Sequence, residues 1–264
     1  MLPYTTYLID LDGVIYRGNE LLPGAREFVA WLNAHHKKYL FLTNNSFASE
    51  TQVLSKLAHL GIKTDPTHVL GAGQAAVQYI ERHFPGSTVY VVGEQPLLDL
   101  VREHHLHVAP VDAQGADVVL VGLDRHFDYE KLTAAVLAIR AGAHFITINR
   151  DALLPVAGGF LPGCGTMAAA IEAGTGVTPV IVGKPQPTLL QEAMHVLGSQ
   201  PDETVMIGDG LAVDILGGKA AGTHTLLVLS GKDSLADLEQ SLIKPDHVYR
   251  DIEAVVAELE RANA

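Results

Sequence analysis

Short apolar runs alternate with amphipathic stretches along almost the whole chain. The first run, residues 7–9, is apolar on both faces and ends at Asp10. Similar runs recur further on, at residues 39–42, 67–70, 89–92, 118–121, 145–148, 179–182, 205–207 and 225–229. Runs of this kind are typical of strands buried in a parallel sheet. The stretches between them, such as residues 190–197, place apolar side chains at helical spacing. The alternation predicts an α/β fold with a doubly wound, mostly parallel sheet.

The pattern is interrupted near residue 85 and then starts again. Three turn formers, Pro85, Gly86 and Ser87, follow the third strand and its helix, and a new series of strands and helices begins after them. A glycine-rich stretch and a helix of small residues end this series near residue 178. We therefore expect an inserted second domain at residues 82–178, within a first domain formed by residues 1–81 and 179–264.

Composition and charge narrow the class of protein. The chain has 264 residues, 48% of them hydrophobic, which is enough for a sizeable core. Its net charge of −12 argues against a protein that coats nucleic acid, because such proteins bind phosphates with lysine and arginine. No apolar run approaches the roughly 20 residues that cross a bilayer. The N-terminus lacks the pattern of a signal peptide, and Cys164 is the one cysteine. We therefore expect a cytoplasmic protein that binds neither membranes nor nucleic acid.

Polar residues follow four of the predicted strands. These residues are Asp10 and Asp12 after the first run, Thr43 and Asn44 after the second, Lys184 after residues 179–182, and Asp209 with Asp214 after residues 205–207. The carboxyl ends of neighbouring parallel strands meet at one edge of a sheet, where open α/β folds bind their ligands. We therefore expect one site that holds several carboxylates, a hydroxyl, an amide and an ammonium group.

These residue types suit phosphoryl transfer. Mg²⁺ prefers oxygen ligands and is commonly held by one or two carboxylates together with phosphate oxygens. A carboxylate can attack phosphorus, and a second carboxyl group can protonate the leaving oxygen and then activate water. A lysine and hydrogen-bond donors stabilise the charge on the transferred group. The sequence therefore predicts a magnesium-dependent site for phosphoryl transfer.

Four motifs resemble those of the haloacid dehalogenase superfamily, and they follow one another in the same order. They are DLDGV at residues 10–14, TN at 43–44, KP at 184–185, and GD at 208–209 with Asp214. The longer strings DLDGVIYRG, TNNS, VGKP and PGCG are similar to the branch of NagD-like, 4-nitrophenylphosphatase and pyridoxal phosphate phosphatase-like enzymes. The resemblance extends over nearly the whole chain. It implies a Rossmann-like core and an inserted α/β cap domain that selects substrates.

The same resemblance implies a role for each core residue. Asp10 would be the nucleophile and a ligand of Mg²⁺, and Asp12 would be the general acid and base while binding the metal through its carbonyl. Asp209 would be a further metal ligand, and Asp214 would support that metal site. Lys184 would take part in catalysis by stabilising the transferred group. The phosphoryl group would be bound by Thr43, Asn44, Asn45 and Lys184.

Two loops of the inserted domain hold further candidate residues for substrate selection. They are Asp124, Arg125 and His126 after the run at 118–121, and Asn149 and Asp151 after the run at 145–148. In the family that the chain resembles, loops at these places face the substrate, although solvated loops would carry similar residues. Arg125 is the best candidate among them for contact with a substrate anion.

The sequence thus predicts a phosphatase that hydrolyses small phosphate monoesters through a phospho-aspartate on Asp10, with Mg²⁺ as cofactor. A sugar phosphate, a nucleotide, pyridoxal phosphate or a similar small phosphorylated metabolite would be its substrate, and apolar surface on the inserted domain would support a homodimer. Two alternatives stay open. One is a phosphomutase of the same fold, and the other is a catalytically silent regulatory protein that binds a phosphate ligand.

Overall fold

The protein is described here by a computed structural model that covers residues 4–44, 50–156 and 158–263. These residues form two compact units. The first holds residues 4–43, 50–70 and 184–263, and the second holds Asn44 and the residues from Gly71 to Gly183.

The strands in chain order are β1 (Thr6–Asp10), β2 (Tyr16–Arg17), β3 (Glu20–Leu21), β4 (Lys38–Thr43), β5 (Val69–Gly71), β6 (Thr88–Val92), β7 (His107–Val108), β8 (Val118–Val121), β9 (His144–Thr147), β10 (Leu153–Val156), β11 (Gly159–Pro162), β12 (Val180–Ile181), β13 (Thr204–Gly208), β14 (His224–Val228) and β15 (His247–Tyr249). The helices are α1 (Ala25–Ala34), α2 (Glu50–His59), α3 (Ala72–His83), α4 (Gln95–Glu103), α5 (Tyr129–Arg140), α6 (Cys164–Thr175), α7 (Thr188–Leu197), α8 (Leu216–Ala221), α9 (Leu235–Gln240) and α10 (Ile252–Asn263). None of these helices, within the described ranges, is both long and apolar enough to cross a membrane.

The sheet of the first unit is built outward from β1. Its strand order is β15-β14-β13-β1-β4-β5, and β1 pairs in parallel with β13 on one side and β4 on the other. Residues 6–9 are buried, as the apolar run at the start of the chain predicts for a central strand. Helices α1 and α10 pack together, as do α7 and α8. The predicted doubly wound α/β fold is confirmed.

The second unit has a parallel sheet of its own. Its strand order is β12-β9-β8-β6-β7, and every pair in it is parallel. The unit begins at Gly71 instead of residue 82, because α3 packs against α4. It ends at Gly183 instead of residue 178, because β12 pairs with β9. The glycine-rich stretch contains β11, which pairs with β10 in an antiparallel hairpin.

The last part of the first unit contains two elements that the sequence pattern did not predict, α9 and β15. Strand β15 lies at the edge of the sheet and is only half-buried, so no apolar run marks it. Tyr4 reaches this strand from the residues before β1. Its hydroxyl lies 2.8 Å from Nε2 of His247, and its ring packs at 4.9 Å from the ring of His224 on β14. Tyr4 thus links the centre of the sheet to its edge.

His247 makes the stability of this edge depend on pH. Burial lowers the pKa of His247, Asp246 opposes that change, and His224 adds to it. In the unfolded chain a histidine titrates near pH 6.5, so the unfolded state takes up the proton first as the pH falls, and the free energy of unfolding decreases below about pH 6.5. We expect urea unfolding to show a larger loss between about pH 7.5 and about pH 5.5 for the wild type than for His247→Gln. His59→Gln, an exposed histidine on α2, is the control and should behave as the wild type. Equal pH dependence in all three proteins would contradict this role of His247.

Candidate active site

The carboxyl ends of three strands bring the predicted site residues to one edge of the first sheet. Asp10 is the last residue of β1 and pairs with Leu42 of β4, so Thr43 follows directly beside it. On the other side, Ile9 pairs with Ile207 of β13, and that strand ends at Gly208, next to Asp209. The spacing of motifs along the sequence becomes proximity here because parallel strands keep their carboxyl ends together.

Three carboxylates and one ammonium group form the centre of the site. One carboxylate oxygen from each of Asp10, Asp209 and Asp214 lies within 4.8 Å of the others. Nζ of Lys184 donates hydrogen bonds to Asp10 Oδ1 at 2.6 Å and to Asp214 Oδ1 at 2.7 Å. The Lys184 side chain is only 2% exposed. With the three acids ionised, the cluster carries more negative than positive charge, so it is suited to bind a cation.

Burial and nearby negative charge raise the pKa values of Asp10 and Asp209. Burial raises the pKa of Asp10 to about 7, against the lowering effect of Lys184 and with added effects from Asp214 and Asp209. Burial also raises the pKa of Asp209 to about 6, and Asp214 adds to the rise. Burial alone would lower the pKa of Lys184, but Asp10 and Asp214 outweigh it and raise that pKa. The lysine therefore stays charged beside the acids.

Two glycines let the acidic side chains lie this close to the backbone. Gly13 has a φ of +78°, and a Cβ there would lie 2.0 Å from Oδ2 of Asp209. A Cβ on Gly208 would lie 2.1 Å from Cβ of Asp214. Asp214 itself is fixed in the turn of π-helix Leu211–Ile215, where its Oδ2 accepts a hydrogen bond from the Gly210 amide at 3.0 Å. Glycine is therefore required at both positions for a steric reason, because any side chain there would collide with Asp209 or Asp214.

The other predicted core residues lie in different parts of the structure. Asp12 is exposed and follows β1 by two residues, and partial desolvation raises its pKa. Thr43 is half-buried at the end of β4. Asn44 belongs to the second unit, where its carbonyl accepts a hydrogen bond from Asn149 Nδ2 at 2.8 Å. Asn45 lies outside the described residues.

The candidate residues of the second unit lie after β8 and β9, which are neighbours in its sheet. Most of them have local partners. Arg125 makes two hydrogen bonds to Glu94, at 2.5 and 3.0 Å. Asp124 accepts from Lys131 Nζ at 2.6 Å and from the His126 amide at 2.8 Å. Oδ1 of Asn149 accepts from the Asp151 amide at 3.1 Å. These contacts shape the two loops, and binding a substrate anion through Arg125 would compete with Glu94.

Sequence reasoning missed a pair of residues next to Asp12. Tyr16 on β2 forms an isolated β-bridge with Asp12, and Lys56 on α2 places its Nζ 3.6 Å from the centroid of the Tyr16 ring. Both positions are on the described part of the first unit. Lys56 and Tyr16 are forty residues apart and form no recognisable sequence motif, so only the tertiary structure shows the pair.

Comparison with known protein families supports the assignment of these residues to a hydrolase site. A family model described as haloacid dehalogenase-like hydrolase matches residues 7–107, and a second, HAD-hydrolase-like model matches residues 181–255. The acid sugar phosphatase of Staphylococcus epidermidis is 36% identical over 258 residues, which cover 98% of this chain and 99% of that protein. The chain therefore belongs to the haloacid dehalogenase-like hydrolases.

Solved structures narrow the kind of hydrolase. A mutant of the thermostable p-nitrophenylphosphatase from Bacillus stearothermophilus is 40% identical, with a TM-score of 0.87 over 96% of this chain and 98% of that one. NagD from the E. coli K-12 strain is 30% identical, with a TM-score of 0.87 over 95% of this chain and 97% of that one. Together with the acid sugar phosphatase, these relatives make the chain a hydrolase of the phosphatase type. The predicted family and enzyme class are confirmed.

Removing Lys184 should destabilise the protein strongly. In Lys184→Met, Asp10 and Asp214 lose their shared cation, so the free energy of unfolding without divalent metal near neutral pH should fall by about 3–5 kcal/mol. The double variant Lys184→Met/Asp214→Asn should regain part of the loss, because one buried charge is gone. Urea unfolding measures both changes.

A surface ion pair offers the matched control. Lys219 lies 3.8 Å from Asp246, and both side chains are 41% exposed. Lys219→Met should therefore cost less than about 1 kcal/mol. Equal losses in the two lysine variants would contradict the role of Lys184 in holding the acids together.

Proposed function

We propose that the chain is a magnesium-dependent phosphatase that hydrolyses small phosphate monoesters through a phospho-aspartate on Asp10. The observation that carries the proposal is the cluster of Asp10, Asp209 and Asp214 around the ammonium group of Lys184. The name of the curated relatives, acid sugar phosphatase, favours sugar phosphates as the first substrates to examine. A cytoplasmic location and a homodimer stay predictions from the sequence.

The donor set fits a divalent metal ion. Carboxylate oxygens are what Mg²⁺ prefers, and the cluster has negative charge that one lysine does not balance. Asp10, Asp209 and the carbonyl of Asp12 would hold the ion, while Asp214 stays bound to Lys184 and to the Gly210 amide. When bound, Mg²⁺ would supply positive charge beside the phosphate oxygens.

The protein's own side chains would carry the two chemical steps. The Asp10 carboxylate attacks phosphorus, and the bond to the leaving oxygen breaks as Asp12 gives that oxygen a proton. Asp12 then takes a proton from water, and the water oxygen attacks the phosphorus of the aspartyl phosphate. The bond between phosphorus and the Asp10 oxygen breaks, so the Asp10 carboxylate is regenerated and inorganic phosphate leaves. Lys184 keeps Asp10 oriented through its 2.6 Å hydrogen bond and offers positive charge to the transferred group.

We also propose that the second unit is the cap domain that selects substrates. The loops that follow β8 and β9 hold polar and charged side chains at the carboxyl edge of its parallel sheet. Open parallel sheets bind their ligands at that edge. The candidates for contact with the substrate remain Arg125, Asp124, His126, Asn149 and Asp151. In the structure, Arg125 is hydrogen-bonded to Glu94.

Substitution of the nucleophile tests the mechanism. Asp10→Asn should lower phosphate release from 4-nitrophenyl phosphate and from sugar phosphates by at least about a thousandfold, because the amide cannot form the covalent intermediate. Asp202→Asn, an exposed acid of the same unit, should keep wild-type turnover. The phospho-aspartate route is wrong if freshly purified Asp10→Asn still turns over substantially. Transfer of the phosphoryl group to a second substrate position would instead indicate a mutase, and tight phosphate binding without release from any ester would indicate a silent binding protein.

The metal requirement has a readout that does not depend on activity. Chelation should abolish turnover and added Mg²⁺ should restore it. At about a hundred times its dissociation constant, Mg²⁺ should also stabilise the folded state by about 2.7 kcal/mol, which thermal unfolding would detect. In Asp209→Asn this stabilisation should largely disappear. A thermal unfolding midpoint of the wild type that does not change when Mg²⁺ is added would contradict the metal site.

A further inference from the structure

Lys56 lies against the ring of Tyr16 beside the predicted acid–base residue. Tyr16 is 4% exposed and sits on β2, which begins four residues after Asp12. The ammonium group of Lys56 lies 3.6 Å from the centroid of its ring. A cation over an aromatic face is attracted by the π electrons, so the ring holds Lys56 in place without neutralising its charge.

The charge of Lys56 is available for a ligand. Among the side chains that the structure describes, no carboxylate forms an ion pair with Lys56, whereas Lys184 already binds both Asp10 and Asp214. Lys56 is half-buried. Tyr16, whose ring Lys56 covers, forms a β-bridge with Asp12, and this contact places the ammonium group in the neighbourhood of Asp12.

The position next to Asp12 fixes which part of a substrate Lys56 would meet. In the proposed function, on which this step rests, Asp10 attacks phosphorus in line and Asp12 protonates the oxygen that leaves. Asp12 therefore lies on the side of the leaving group, and Lys56 contacts the ring of Tyr16, the residue that forms a β-bridge with Asp12. A second anionic group on the substrate would be repelled by the acids of the site unless a cation offset them.

We propose that Lys56, held against Tyr16, determines specificity by binding an anionic substituent of the leaving group. The preferred substrates are then phosphate monoesters whose alcohol carries a carboxylate or a second phosphate. Neutral alcohols lack the group that Lys56 binds and are poorer substrates.

Lys232 also lies near the site and is tested as an alternative to Lys56. The Lys232 side chain passes Gly210, with Cδ 3.8 Å from where a Cβ on that glycine would lie, and its amide donates to Asp209 Oδ2 at 2.7 Å. Lys232 thus lies beside Asp209. Lys63 is exposed and lies outside the site. The three lysines differ in position but not in charge.

The experiment compares two esters that differ in one charged group. They are 2-phosphoglycolate, whose alcohol carries a carboxylate, and 2-hydroxyethyl phosphate, whose alcohol is neutral. The ratio of their kcat/KM values measures the preference and cancels any general loss of activity. We expect the wild type to prefer 2-phosphoglycolate, and Lys56→Met and Lys56→Gln to lower the ratio by about ten- to a hundredfold, as expected for losing a hydrogen bond between charged groups. Lys56→Arg should keep most of the preference.

Variants of the ring and of the other lysines complete the test. Tyr16→Phe retains the aromatic face and should retain the ratio, whereas Tyr16→Leu should lower it in the same direction as Lys56→Met. Lys63→Met and Lys232→Met should leave the ratio unchanged. Thermal unfolding of each variant checks that it is folded, and Lys56→Gln provides a second variant if Lys56→Met does not fold.

Specific outcomes would overturn the proposal. They are a wild-type ratio at or below one, an equal loss on both esters in the Lys56 variants, or a loss of preference in Lys232→Met instead. Hydrolysis of 4-nitrophenyl phosphate by the wild type separates this inference from the proposed function. If that hydrolysis occurs and the ratio does not depend on Lys56, only the specificity proposal fails. If the wild type hydrolyses no ester at all, the proposed function fails with it.

Discussion

Collecting Asp10, Asp209 and Asp214 at one edge of a sheet costs free energy, because their charges repel one another and are largely removed from water. Lys184 offsets part of that cost through short hydrogen bonds to two of the acids. The remaining negative charge is what suits the edge to a divalent cation and, through it, to a phosphate group. The rest of the first unit serves to keep this unfavourable group of charges together.

The sheet and its turns supply that constraint. Strand β1 is held by β4 and β13 on its two sides, so the place of Asp10 is set by buried backbone pairing and not by the charges themselves. Gly13 and Gly208 remove the Cβ atoms that would collide with Asp209 and Asp214. The chain therefore accepts acids that no ordinary apolar packing would favour, which is typical of a functional site.

The two units hold their polar residues in different ways. In the first, Lys184 is shared between Asp10 and Asp214, and Lys56 contacts an aromatic ring. In the second, Arg125 and Asp124 each have an ionic partner of opposite charge. The three acids of the first unit outnumber the one lysine that contacts them, and a bound cation can compensate this excess of negative charge.

The sequence alone determined the fold class, the family and the acids at the strand ends, because four motifs follow predicted strands in one fixed order. It did not determine β15, whose half-buried residues leave no apolar run. It also did not determine the β10–β11 hairpin, where Leu153, Phe160 and Leu161 are apolar but exposed. The domain limits also differ, since α3 and β12 join the second unit through packing and pairing that no local pattern records. The pairing of Arg125 with Glu94 and of Lys56 with Tyr16 was decided by the tertiary structure only, because these residues are distant in sequence and meet when helices and loops pack.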